Sequence, residues 1–131
     1  MEAMPSRISM IVVVLLFLLP ACSDTEGLGE ISYEEQIQGH IFNISCLIGC
    51  HDGTRRGGVE LSSWSTLMEG GDNGYVIIPF NAEESRLVVS VEGGSNVGIP
   101  VEPMPPAGRS QLNLSEIRII KDWIDQGAKD N

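Results

Sequence analysis

Cys46, Cys50 and His51 form the densest group of reactive side chains in the 131-residue chain. Two thiols followed directly by an imidazole are the pattern that attaches a c-type haem. The sulfurs form thioethers with the porphyrin vinyl groups, and the histidine becomes the proximal iron ligand. Three residues, Leu47-Ile48-Gly49, separate the cysteines here, where the common pattern has two. An iron held by one histidine has a further axial position, and a methionine thioether placed there raises the potential. Met104, Met68 and His40 are the side chains available for it. His40 precedes Cys46 on one predicted helix and so falls on the same side of the ring as His51. Met104 lies far away in sequence, within Pro103-Met104-Pro105-Pro106, where flanking prolines hold the backbone extended. It is the preferred distal ligand, making His51 and Met104 the expected iron pair. Two other chemistries use the same residues. Cys46, Cys50, His51 and Met104 are donors suited to Cu(I) or Zn in a non-haem module, and Cys46 and Cys50 are also candidates for a disulfide in a lipoprotein interaction domain.

These side chains must be held by the elements around them. Ser32-Tyr33-Glu34-Glu35 has the form of a capping box, with Ser32 as N-cap and Glu35 reciprocating. Tyr33, Ile37, Ile41, Ile44 and Ile48 then recur at helical spacing and predict one buried face running into Cys46. Asp52 to Gly58 reads as a loop, in which Arg55 and Arg56 are read as surface charge in preference to propionate partners. Ser63 caps a short predicted helix through Met68, closed by Gly70-Gly71. Tyr75 to Phe80 suits a strand limited by Pro79. After the capping pattern Asn81 to Glu84, Leu87, Val88 and Val91 predict a helix, although Val88 to Val91 would also suit a strand. Glu92 to Gly108 is a long Gly- and Pro-rich loop, of the kind that commonly carries function. The clearest helix is the last: Asn113 and Glu116 cap it, Leu112 and Ile117 staple it, and Ile117, Ile120, Trp123 and Ile124 share a face ended by Gly127.

The first segment is not part of this fold. Ile11 to Leu19 is apolar but far short of the roughly 20 residues a membrane-spanning helix needs. With Leu19-Pro20-Ala21-Cys22 behind it, the segment reads as a lipoprotein-type signal peptide, residues 1–21, cleaved before an acylated Cys22. Residues 22–30 are then a polar lipidated tether, and 31–131 the domain. Cleavage removes one acid, Glu2, and one base, Arg7, so the net charge stays at −10. That acidity argues against nucleic acid and anionic headgroups as partners and favours a redox partner with a basic docking surface. The three cysteines are all accounted for, one by lipid and two by haem.

The ordered set Ile41-Phe42, Cys46, Cys50-His51, Gly57-Gly58-Val59-Glu60-Leu61, Glu84-Ser85-Arg86-Leu87, Met104-Pro105-Pro106, Leu114-Ser115, and Asp122 to Ala128 resembles the small planctomycete-type cytochrome c domain. The resemblance runs from about Tyr33 to Ala128. It implies an all-α, small class-I-like cytochrome c fold: several short helices and long Gly/Pro loops around one haem c. It also implies Cys46 and Cys50 as thioether sites, His51 as proximal ligand and Met104 as distal ligand. Gly49 would let the backbone bulge to absorb the additional residue between the cysteines. No acid–base pair or nucleophile constellation accompanies these residues, so the expectation is an electron carrier rather than an enzyme. It would be anchored through Cys22 in a bacterial envelope and face the periplasm. Ser23 resembles the outer-membrane sorting pattern.

Overall fold

A computed structural model describes residues 29–96 and 98–131. The expected signal peptide, Cys22 and the expected tether through Leu28 lie outside the described residues. Among the described residues four helices carry the fold: α1 (Tyr33–His51), α2 (Trp64–Glu69), α3 (Arg86–Val91) and α4 (Leu114–Asp125). A single 3-10 turn at Arg56–Gly58 follows α1. The long loop holds a two-residue antiparallel ladder, β1 (Ser95–Asn96) against β2 (Ile99–Pro100). The protein is therefore helical, as expected. Tyr75–Phe80 forms no strand: the segment runs irregularly, burying Val76 and Ile77. Among the described residues no helix is long and apolar enough to cross a membrane.

α4 forms as its sequence dictates. The Asn113 side chain accepts from the amides of Ser115 and Glu116, and the Glu116 carboxylate accepts from the Asn113 amide at 2.8 Å. Ile120, Trp123 and Ile124 are completely buried. The Trp123 indole N–H donates to the Lys129 carbonyl at 3.0 Å, so this large ring is buried with its polar atom satisfied. The ring also lies 5.5 Å, centroid to centroid, from Tyr33 on α1. Packing of α4 against α1 makes the main core.

α1 is wound with π-type hydrogen bonds, and this changes which residues it buries. Tyr33, Ile37 and Ile41 face the core as expected, but Ile44 and Ile48 are 68% and 71% exposed. A wider turn carries the buried stripe from Ile41 to Phe42 and on to Cys50 instead. The N-terminal cap shifts in the same sense. The Ser32 hydroxyl accepts from the Glu35 amide, but Gln36, not Glu35, accepts the Ser32 amide in return. α2 matches expectation, with Ser63 and Thr66 capping reciprocally. α3 starts later than the pattern suggested. Asn81 caps a turn through the Glu84 amide, and the helix itself begins after Ser85.

The start of α1 meets the C-terminal residues. The Asn131 carbonyl accepts from the Glu34 amide at 3.0 Å, and its side chain accepts from the Tyr33 amide at 2.9 Å. Lys129 pairs with Glu30 at 2.7 Å. The start of α1 is thereby tied to the chain terminus, while its other end carries the cysteine cluster.

Candidate functional site

A cavity of about 340 Å³ opens where the end of α1, the loop after it, α3 and the Met104 loop face one another. Cys46, Cys50, His51 and Met104 all line it, so residues more than fifty positions apart share one wall-to-wall space. Its apolar walls include Val59, Leu61, Val76, Leu87 and Val91. The volume falls in the range of small-molecule and cofactor sites. His40, exposed on α1, and Met68, packed against the core, do not line it.

The geometry of His51 follows from its neighbours. Its Nδ1 lies 2.8 Å from the Val59 carbonyl oxygen. A carbonyl only accepts, so the proton is placed on Nδ1 and Nε2 keeps its lone pair. That is the tautomer a metal-ligating histidine needs, with ring orientation set by a backbone acceptor. The Leu61 amide closes the same loop onto the His51 carbonyl at 3.1 Å. Close glycine contacts support the loop from below: a Cβ at Gly71 would lie 2.5 Å from the Gly57 oxygen and 2.6 Å from Val59 Cγ2.

The segment between the cysteines leaves the helix. Ile48 adopts φ −58°, ψ 107°, and Gly49 sits at φ 73°. The left-handed conformation suits glycine, which has no Cβ to clash. The added residue is thus taken up as a bulge at Ile48-Gly49, and the Gly49 amide donates to Asp52 Oδ2 at 3.1 Å. Cys50 is buried and Cys46 half-buried. Burial, reinforced by the nearby Cys50 and Glu116, pushes the Cys46 thiol up to about 11. Among the described residues no three His, Cys, Asp or Glu side chains converge closely enough to hold one metal ion.

Met104 is set by α3. Its amide donates to the Ser90 carbonyl at 2.8 Å, beside the buried Val88 and Val91. The Gln111 side chain donates to the Pro105 carbonyl at 2.8 Å and braces the following turn. Arg55 pairs with Glu60 at 2.6 Å and is half exposed, in keeping with a surface role. Arg56 lines the cavity, as do Arg86 and Arg109. Sequence reasoning assigned no role to these last two. Arg86 stood within a family-like stretch without a function attached. Arg109 is reached only through a loop whose path the sequence does not fix.

A compact helical domain with thiols, an imidazole and a thioether around one apolar cavity fits the class of small haem proteins. The donor set and walls therefore accommodate a haem. The planctomycete cytochrome c family model matches residues 46–108, and this stretch is a planctomycete-type cytochrome c domain. The match is shorter than the resemblance from Tyr33 to Ala128, but it contains the cysteines, His51 and Met104. The chain thus carries a haem-binding electron-transfer domain, and the family implies covalently bound haem c. No curated protein and no solved structure was found to match.

Proposed function

We propose that the chain is a one-haem electron carrier, anchored by lipid at Cys22 to a bacterial envelope membrane and facing the periplasm. Cys46 and Cys50 are the thioether sites, His51 the proximal ligand and Met104 the distal one. The carrying observation is the hydrogen bond from His51 Nδ1–H to the Val59 carbonyl, which leaves Nε2 available inside the cavity that Met104 also lines. The bound haem would supply a one-electron couple. The protein's part is to fix both axial side chains, keep water from the buried walls, and offer Arg56 and Arg86 as cations for the cofactor's carboxylates. Its net charge of −10 favours a partner with a basic surface.

The test is expression of the full chain with haem-maturation machinery. A reduced spectrum of c-type haem, and a mass increased by one haem over the acylated polypeptide, are expected. Colourless protein of polypeptide and acyl mass alone would refute the proposal. Outer-membrane sorting, suggested by Ser23, is checked by fractionating membranes that carry the protein.

A further inference from the structure

The bulge between the cysteines exposes a backbone group that a regular helix would consume. With Ile48 at ψ 107°, its carbonyl turns out of the helical ladder. Arg109 Nη1 donates to that oxygen at 3.2 Å, across 61 residues of sequence. The guanidinium lies over the bulge itself, since a Cβ on Gly49 would come within 3.9 Å of Arg109 Nη2. Arg109 belongs to the turn that follows Met104: its amide donates to the Pro106 carbonyl at 3.2 Å, and its carbonyl accepts from Gln111 at 3.2 Å. The stretch from Met104 to Arg109 is therefore tied at each of its ends. Met104 N–H fixes one end to Ser90 on α3, and Arg109 fixes the other to the segment between Cys46 and Cys50.

We infer that Arg109 is a positioning residue, a latch that holds the Met104 loop closed over the cavity by gripping the carbonyl freed by the additional residue between Cys46 and Cys50. This rests on the reading of Met104 and His51 as axial ligands. The bulge and the arginine form one device. A two-residue spacing would leave no bulge at Ile48-Gly49, and Arg109 would have no such acceptor there. Opening the latch frees the loop to swing Met104 away, so an external ligand competes for the iron in proportion to the open population.

The experiment uses the full-length haem-loaded chain and its Arg109→Ala and Arg109→Lys variants, with free imidazole as the competing ligand for the ferric form. Haem content by mass and the methionine–iron charge-transfer band are recorded for each. Loss of one exposed hydrogen bond predicts that Arg109→Ala binds imidazole about fivefold more tightly. Haem content should be unchanged, and Arg109→Lys, which keeps a donor, should return towards the wild-type affinity. An Arg109→Ala affinity equal to wild type, or an Arg109→Lys affinity equal to that of Arg109→Ala, overturns the latch. Should Arg109→Ala fail to accumulate, Arg109→Gln is judged by the same two criteria against wild type and Arg109→Lys. Failure of the underlying reading looks different. In that case Met104→Ala would leave the charge-transfer band intact, or the wild-type chain would carry no haem.

Discussion

Gly71→Ala tests whether the floor of the site is as close-packed as the structure shows. Gly71 does not lie in the left-handed region, so alanine meets no backbone penalty there. The whole effect is steric. The new methyl carbon would lie 2.5 Å from the Gly57 oxygen and 2.6 Å from Val59 Cγ2, so the Gly57–Val59 segment must move. Overpacking of this kind costs about 1–3 kcal/mol. For a domain of this size that is a fall of roughly 4–24 °C in Tm, readable by far-UV circular dichroism of the haem-loaded protein. The displaced residue is the one whose carbonyl holds His51, at 2.8 Å. Weakening that bond makes the imidazole a poorer donor to ferric iron, so the reduction potential should rise. Gly93→Ala is the control. Gly93 sits at φ 115° with nothing near its missing Cβ, so alanine there brings backbone strain alone and should leave the potential unmoved. A Gly71→Ala protein with wild-type Tm and potential would refute the contact. One that is destabilised without any shift in potential would refute the link from Val59 to His51.

Four further outcomes follow from the same geometry. Trp123→Ala removes a fully buried ring, its bond to Lys129 and its contact with Tyr33, at a cost of about 3–5 kcal/mol. Thermal melts should show a domain near or beyond the limit of folding, since such domains have only about 5–15 kcal/mol in hand. In protein made without haem maturation, Cys46 is protonated well above the usual thiol range because its pKa rises from 9.0 to about 11. Alkylation at pH 8 should be roughly 100-fold slower than for an exposed thiol, and equal rates would contradict its burial. The folded pKa lies above the unfolded one, so stability present below about pH 9 should be lost as the pH climbs through about 11. Urea midpoints across that range check it, with Cys46→Ala as the variant in which the trend is reduced. Lastly, Met68→Ala should keep the methionine–iron band that Met104→Ala loses, because Met68 packs on the core and Met104 lines the cavity.

What the sequence made legible follows the range of the interaction. α4 is encoded within its own residues, by Asn113 and Glu116 at the start and an apolar period of 3.6 along its length, and it forms as expected. The cysteine cluster and Met104 could be picked out by residue type, because few side chains combine thiol, imidazole and thioether chemistry. α1 was legible only in its first half. Ile44 and Ile48 keep the helical period, but the π-type winding moves the buried stripe onto Phe42 and Cys50. No local pattern announces that change. Contacts between distant loops left no mark in the sequence at all. Gly71 against Val59 and Arg109 against Ile48 depend on where the chain returns, not on what surrounds each residue.

The tie between Asn131 and the beginning of α1 has a consequence for reach. Any attachment upstream of Gly29 pulls on the corner where the start of α1 and the C-terminal residues are fastened, while the cysteines stand towards the other end of α1. A bilayer holding that corner would carry the domain as a quay carries a crane. The cysteine-bearing tip would then be the part of the domain farthest from its attachment.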